Sequence, residues 1–260
     1  MLSRLLAAAL LAGLFAGLVT SGLQALVTTP LILRAETFEQ AQPAHAAGGA
    51  AAHAHDDAEG WKPADGAQRA LVTSLATIVT AVGYALLLGA AMLAAGSGFE
   101  SGATLRWALG GFMATGLAPA LGLTPELPGM GGGDVVARQL WWIGTAAATA
   151  AGLWLAGLGL TGLGLARPGS ARLGSAGLGP GATPRSVLFS IAGLALLAAP
   201  HMVGAPHGAE AASSVPAALA ARFAASSLAM SFLLWAAIGV GLGLAWARLS
   251  QRAVPAAQRA

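Results

Sequence analysis

Long apolar stretches separated by charged or helix-breaking residues constrain this 260-residue chain more than any other feature. About 20 predominantly apolar residues cross a bilayer as a helix, whereas an ionised side chain is costly at the bilayer centre. Hydrophobic residues make up 56% of the chain and charged residues only 9%, against roughly 25% charged residues in an average soluble domain. We therefore predict an all-α, polytopic membrane protein in which residues 1–260 form a single integral membrane domain. About six transmembrane helices are expected, at residues 5–33, 70–99, 107–125, 139–166, 186–203 and 223–247.

The positive charges predict how these helices are oriented. With six spans both termini lie on one side, and that side collects eight of the 13 lysines and arginines. Because cytoplasmic loops carry the excess of positive charge, we predict that both termini are cytoplasmic. Nine of the ten acidic residues then fall outside, so the outer face should attract cations. The arginines flank apolar stretches, which indicates contact with the lipid bilayer and no nucleic-acid partner, despite a sequence pI near 10.6.

The connector at residues 34–69, which this topology places outside, is the first candidate for metal binding. It contains His53 and His55 followed by two aspartates, and neutral imidazoles and carboxylates bind divalent transition metals. Its alanine and glycine filler offers these ligands no rigid surroundings, so we expect weak capture. A polar connector without metal is the alternative. Residues 167–185, rich in glycine, proline and serine, are predicted to be a cytoplasmic linker.

The outer connector after the fifth span holds two histidines, His201 and His207, bracketed by Pro200 and Pro206. Because proline fixes the backbone and disrupts a helix, we predict that Pro200 ends the span and that both imidazoles are held near the membrane surface. This pair is the main candidate for a metal-entry site. Interfacial histidines that bind no metal are the alternative.

A third outer connector, residues 124–134, is rich in proline and glycine and carries Glu126 and Asp134. Non-helical backbone is tolerated at membrane depth where protein buries it or water reaches it. The segment therefore either dips into a vestibule and presents Glu126 to a cation, or forms a surface turn. Trp141 and Trp142, which follow it, are interpreted as interfacial anchors.

Small and polar residues within the spans predict how the helices pack. Gly13 and Gly17 in the first span, and Gly239 and Gly243 in the last, have the spacing that brings two helix backbones close together. Gln24 is the strongest polar group inside a span. Its amide either bonds to a neighbouring helix, which is the favoured interpretation, or lines a path through the protein.

This sequence lacks the residues that characterise several classes of protein. There is no cysteine, so neither disulfides nor thiolate metal sites can form. The single lysine does not follow a glycine-rich loop, so the phosphate-binding loop of many ATPases is missing. No nucleophile and base occur together. We therefore predict that the chain is not an enzyme and holds no permanently bound cofactor.

Four motifs occur in a fixed order along nearly the whole chain. They are Trp61-Lys62-Pro63-Ala64-Asp65-Gly66, the segment APALGLTPELPG at residues 118–129, Arg138-Gln139-Leu140-Trp141-Trp142, and the segment PHMVGAPH at residues 200–207. This order resembles the CbtA family of probable cobalt transporter subunits. The resemblance implies a multi-pass protein of the bacterial inner membrane that supplies cobalt for cobalamin synthesis with a small single-span partner, CbtB. The candidate metal ligands that it implies are His53, His55, His201, His207 and Glu126.

Two functions from different classes remain open at this point. In the first, the chain is a cobalt uptake subunit whose outer loops gather the ion and whose His201, His207 and Glu126 pass it to a path among the helices. In the second, it is a non-transporting scaffold or assembly subunit of a metal-handling complex. Imidazole and carboxylate sites bind copper and often nickel more tightly than cobalt, so nickel, copper and zinc are also possible cargoes. A homo-oligomer is compatible with either function.

Overall fold

A computed structural model describes residues 1–40, 63–130, 133–162, 183–206 and 213–251. The long segments among these residues are helices, and none of the described residues lies in a strand. This confirms the predicted all-α class. The elements are α1 (Leu2–Gln40), α2 (Ala67–Ala94), α3 (Ser101–Phe112), a π-helical turn (Met113–Leu117), α4 (Ala118–Gly122), α5 (Val135–Gly162), α6 (Pro184–Val203) and α7 (Ala217–Gln251).

Five of the described helices, α1, α2, α5, α6 and α7, are long and apolar enough to cross a membrane. They coincide with five of the six predicted spans. The helix α1 contains 39 residues, and at 1.5 Å per residue its length of about 58 Å exceeds the roughly 30 Å hydrocarbon core. It therefore continues well beyond the bilayer, and its last turns carry Arg34 and Glu36.

The predicted third span, residues 107–125, is not one regular helix. It begins earlier, at Ser101, ends at Gly122, and is interrupted by the π-helical turn, in which the backbone N–H of Ala118 donates to the carbonyl of Met113. Pro119 explains the interruption because its ring has no N–H to donate and clashes with the carbonyl four residues earlier in a regular helix. Residues 101–122 are nevertheless helical throughout, and whether they cross the membrane, like the number of membrane crossings, stays a prediction.

The described residues separate into two compact units. Unit 1 consists of the described parts of Met1–Leu109, Pro125–Gly131 and Glu210–Ala260, and unit 2 of the described parts of Gly110–Thr124 and Gly132–Ala209. Unit 1 is built on α1, which packs against α2 and α7. Unit 2 is built on the pair α5 and α6.

Close glycine contacts hold the helices of unit 1 together. A Cβ atom added to Gly13 would lie 2.5 Å from the Cα of Val82, and one added to Gly17 would lie 2.6 Å from the Cα of Ile78. Between α7 and α3, a Cβ atom on Gly243 would lie 2.8 Å from the Cα of Ser101. The predicted role of these small residues in close helix packing is confirmed.

Polar side chains also pair between α1 and α2. The Thr77 hydroxyl donates to the Gln24 side-chain oxygen at 3.0 Å, so the favoured interpretation of Gln24 is confirmed. The Ser21 hydroxyl donates to the Ser74 carbonyl at 3.3 Å. At the end of this helical hairpin that is predicted to lie outside, Arg69 forms a two-pronged ion pair with Glu36.

The connector at residues 125–130 packs against unit 1 through Leu127, which is 3% exposed. The Met130 N–H donates to the Leu127 carbonyl at 3.1 Å, which closes a turn, and the Leu127 N–H donates to the Met130 sulfur at 3.3 Å. Gly129 completes this turn with a φ of 79°, a conformation that favours glycine. The buried side chains that surround Leu127 are Leu31, Ala35, Val215, Leu219 and Phe223.

In unit 2, α5 and α6 run antiparallel and approach most closely at their glycines. A Cβ atom on Gly193 would lie 2.6 Å from the Ala156 nitrogen, and one on Gly152 would lie 2.9 Å from the Gly193 carbonyl oxygen. The start of α6 is fixed by a capping box, in which Thr183 and Ser186 each accept a hydrogen bond from the other's backbone N–H. The α5–α6 hairpin is thus a second small-residue helix pair, which the spacing rule applied to the first and last spans did not reveal.

Pro200 does not end α6, contrary to the prediction. The helix continues to Val203 and is closed by Gly204, which has a φ of 83° and donates its N–H to the Pro200 carbonyl at 3.0 Å. A proline inside a helix removes only the hydrogen bond of its own missing N–H, and α6 continues past Pro200 as α1 continues past Pro30. His201 consequently lies in the last turn of a helix and not in a loop.

Candidate metal-entry site at the end of the α5–α6 hairpin

His201 lies at the end of the α5–α6 hairpin that is predicted to lie outside, and it is exposed. Its imidazole meets the edge of the Trp141 indole, with ring centroids 6.3 Å apart and ring planes at 71°. The far end of the same indole lies over Gly122, where a Cβ atom would clash with the ring. Trp141 is therefore held between the end of α4 and the end of α6, and His201 is held against it.

Three polar groups on α5 extend inward from this histidine. They are the indole nitrogen of Trp141 and the hydroxyls of Thr145 and Thr149, all of which are buried and have no hydrogen-bond partner among the described residues. Thr145 is 1% exposed and Thr149 is 2% exposed. The spacing of four residues places them on one side of α5 at intervals of about 6 Å along its axis.

These two threonines share their condition with Thr20 of α1 and differ from several other threonines in the helices. Thr28, Thr115 and Thr161 each donate their hydroxyl to the carbonyl four residues earlier in their own helix, the usual solution for a threonine in an apolar helix. Thr145 and Thr149 do not make this bond. Leaving a buried hydroxyl without a partner costs about 1–3 kcal/mol, so these two positions call for a polar group from outside the described side chains.

The polar groups share their face of α5 with the glycine contacts. At 100° per residue, Trp141, Thr145 and Thr149 fall within about 80° of the positions that pack on α6, namely Gly152, Ala156 and Gly159. The α6-facing side of α5 is therefore polar in its first half and closed by backbone contact in its second half. We call Trp141, Thr145 and Thr149 together the polar face of α5.

The chemistry of this site suits a cation. His201 supplies an imidazole nitrogen, which is a ligand for cobalt, nickel, copper and zinc. The threonine hydroxyls supply oxygen atoms that can accept a hydrogen bond from ion-bound water or contact the ion itself. Among the described residues, no three His, Asp or Glu side chains come together in a cluster.

The other predicted ligands are distributed differently. Glu126 is half-buried and belongs to unit 1, whereas His201 belongs to unit 2. His207, His53 and His55 lie outside the described residues, as does most of the predicted linker at residues 167–185. Sequence reasoning interpreted Trp141 only as an anchor and missed Thr145 and Thr149, although their spacing of four residues after Trp141 was a usable signal.

The comparison with protein families gives one match over most of the chain. Residues 2–247 match the family model described as "Probable cobalt transporter subunit (CbtA)". No curated protein and no solved structure matches the chain.

Proposed function

The chain belongs to the CbtA family of probable cobalt transporter subunits, and we propose that it admits cobalt from the outer side of the bacterial inner membrane for cobalamin synthesis. Family membership and the apolar helices support a multi-pass membrane protein with a transport role. Because the family is described as a subunit, the protein works with a partner. We propose a small single-span protein of the CbtB type for that partner.

The observation that carries this proposal is the polar face of α5 below His201. Two buried hydroxyls and a buried indole N–H without partners form a costly arrangement inside a helix pair. Water or a hydrated ion passing between α5 and α6 would satisfy all three groups. In our proposal His201 receives the ion at the outer end, and the polar face conducts it about 12 Å inward, from Trp141 to Thr149.

The glycine contacts of the α5–α6 hairpin set the inner limit of this path. Backbone atoms of Gly152, Ala156 and Gly193 lie too close together for an ion to pass between them. We propose that transport requires α5 and α6 to separate at these glycines. Small residues suit such a movement because they present no interlocking side chains across the interface.

The remaining candidate ligands have supporting roles in this proposal. His53 and His55 gather ions weakly from outside, and His207 joins His201 as a second imidazole of the entry site. Glu126, on unit 1, adds a negative charge on the outer side. The cargo is assigned to cobalt by the family, since the ligands themselves also admit nickel, copper and zinc.

The test is radiolabelled cobalt flux into vesicles that contain the full chain, with and without the small partner. We expect flux with the partner present, and a loss of about tenfold or more in the His201→Ala/His207→Ala variant, since one lost ligand contact of about 1.4 kcal/mol corresponds to a factor of ten. The matched control is the His53→Ala/His55→Ala variant, which should retain most of the flux.

The outcomes separate transport from a scaffolding role. A chain that produces no flux in either vesicle preparation, yet still co-purifies with the partner, is a scaffold. Equal losses in the two double-histidine variants would refute the entry role of His201 and leave only general capture by the outer loops. Competition by nickel, copper and zinc in the same assay measures selectivity.

A further inference from the structure

We propose that unit 1 carries a binding site for an anionic phospholipid, formed where the end of α1 meets the start of α7. A cleft of about 240 Å³ opens there between the two helices. Arg34 from α1 and Arg222 from α7 line it together with apolar residues. This site is separate from the proposed metal path and does not depend on it.

The cleft is amphipathic in the way that a lipid requires. Its wall is built from Leu31 and Phe38 on α1, and from Pro216 and Leu219 at the start of α7. Leu31 and Leu219 are buried and belong to the cluster around Leu127, so they form a fixed floor. The two arginines are exposed above it. An acyl chain can therefore contact the wall while a phosphate contacts the guanidinium groups.

The position of the two arginines fits the level of a lipid headgroup. Arg34 directly follows the first apolar stretch, residues 5–33, and Arg222 directly precedes the last one, residues 223–247. Both charges therefore lie where hydrocarbon gives way to the interfacial region. A free anion would need only the arginines, whereas an apolar wall at the same depth favours a ligand that has both a phosphate and an acyl chain.

Charge complementarity determines the sign of the ligand. Neither Arg34 nor Arg222 forms an ion pair with a carboxylate of the described residues, unlike Arg69, which binds Glu36. Two guanidinium groups that share a cleft repel each other, and a phosphate that bridges them removes that repulsion. Arginine is well suited to this contact because its fork of N–H donors can bind two phosphate oxygens at once.

The test compares an anionic and a zwitterionic lipid. The purified, delipidated full chain in detergent is supplemented with phosphatidylglycerol or phosphatidylcholine of identical acyl chains, and the thermal unfolding midpoint is measured. Phosphatidylglycerol should raise the midpoint by roughly 5 °C more than phosphatidylcholine. The Arg34→Gln/Arg222→Gln variant should lose this difference.

The matched control removes the same charge elsewhere. Arg106→Gln/Arg185→Gln replaces two arginines on α3 and α6, and it should keep the phosphatidylglycerol response. Equal responses in the two double variants would overturn the proposal, because they would show that any surface charge suffices. Inorganic phosphate at the same concentration should have no effect, and a shift equal to that of phosphatidylglycerol would show a simple anion site and would overturn it as well.

Native mass spectrometry keeps the proposal testable if the double variant does not fold. The wild-type chain, equilibrated with equal amounts of both lipids, should retain phosphatidylglycerol in preference to phosphatidylcholine. The single variants Arg34→Lys and Arg222→Lys keep the charge but lose the two-pronged contact, and each should weaken that preference. No preference in the wild-type chain would overturn the proposal.

Discussion

In the α1–α2 hairpin, polar side chains that enter the helix interface find partners on the facing helix, whereas in the α5–α6 hairpin they do not. Both hairpins use glycine to bring their backbones together. In the first, Gln24 pairs with Thr77 and Ser21 pairs with a backbone carbonyl, and Thr20 is an exception as a buried hydroxyl without a partner among the described residues. In the second, Trp141, Thr145 and Thr149 are all in that position.

The two hairpins therefore contain two kinds of polar group. Those of the α1–α2 hairpin bond the two helices to each other, whereas those of the α5–α6 hairpin do not contribute to helix pairing. A hydrogen bond between two helices removes the penalty of burying both groups and fixes their relative position. An unpaired hydroxyl keeps the penalty, so its presence is not explained by stability. We therefore assign the α1–α2 hairpin to the structural frame and the α5–α6 hairpin to transport, and four predictions test this assignment.

The largest effect is expected from overpacking the glycines, and it should be the same in both hairpins. Gly17→Leu and Gly193→Leu place a side chain against the backbone of the facing helix, which should cost roughly 2–3 kcal/mol or more. The folded yield after size-exclusion chromatography should fall sharply for each. Gly22→Leu and Gly144→Leu are matched controls, because a Cβ atom at these positions meets nothing within 4 Å, and wild-type yields for all four variants would contradict the packing argument.

The second effect should distinguish the hairpins. Thr145→Val/Thr149→Val removes two unpaired hydroxyls at nearly constant volume, so stability should rise by up to about 1–3 kcal/mol per hydroxyl. Cobalt flux into vesicles should nevertheless fall by about tenfold, because the polar face of α5 loses its oxygen atoms.

The control for this double variant is Thr161→Val, on the same helix. Its hydroxyl is exposed and donates to the carbonyls of Gly157 and Leu158, so its removal should leave flux unchanged. Normal flux in Thr145→Val/Thr149→Val would refute the conducting role of the polar face of α5, whatever its stability.

The third effect belongs to the α1–α2 hairpin and should appear in stability alone. Thr77→Val leaves the Gln24 amide without its partner and should lower the free energy of unfolding by about 1 kcal/mol. The double variant Gln24→Leu/Thr77→Val removes both polar groups and should recover most of that loss. Flux should not change in either variant, and a loss of flux in a well-folded double variant would place Gln24 on the path instead of in the frame.

The smallest effect concerns the ion pair between Arg69 and Glu36 in the α1–α2 hairpin. The hydrogen bond from Arg69 lowers the pKa of Glu36 below its ordinary value of 4.5. A lowered pKa in the folded state means that the pair stabilises the protein above that value and that this contribution is lost as the pH falls through the folded-state pKa. Because both side chains are partly exposed, the effect should not exceed about 1 kcal/mol.

Thermal unfolding at two pH values tests whether Arg69 stabilises the protein through its ion pair with Glu36. At pH 7 the Arg69→Gln variant should unfold at a slightly lower temperature than the wild-type chain. The difference should vanish at a pH well below 4.5, where Glu36 is protonated in both. A difference that is independent of pH would show that Arg69 acts through packing and not through its charge.

Much of the fold could be predicted from the sequence because apolar length and charge position determine membrane helices directly. The same reasoning located the close packing at Gly13 and Gly17 and the pairing of Gln24. It failed at Pro200 because a proline inside a helix removes one hydrogen bond and need not end the helix, as Pro30 within α1 also shows. It did not predict the π-helical turn in the third span, because Pro119 changes the helix there without introducing a charge or a polar turn.

The candidate site was less predictable than the fold. Histidines are visible in a sequence as candidate metal ligands, so His201 was predicted as one, although as part of a loop. Thr145 and Thr149 resemble the other threonines of the spans, and only the hydrogen bonds of the folded chain distinguish them from Thr28 or Thr161. Their role depends on the absence of a hydrogen-bond partner for their hydroxyls, and a sequence pattern does not show which hydroxyls have partners.

The π-helical turn at Met113–Leu117 also changes the direction in which the residues after it face within unit 2. A turn closed by the bond from Ala118 to Met113 holds one residue more than an α-helical turn, so every later position is rotated by about 100° relative to a regular helix. Gly122 comes to face the Trp141 indole in this offset orientation. The irregularity at Pro119 thereby determines which side of α4 faces Trp141. Through Trp141 it also determines the surroundings of His201.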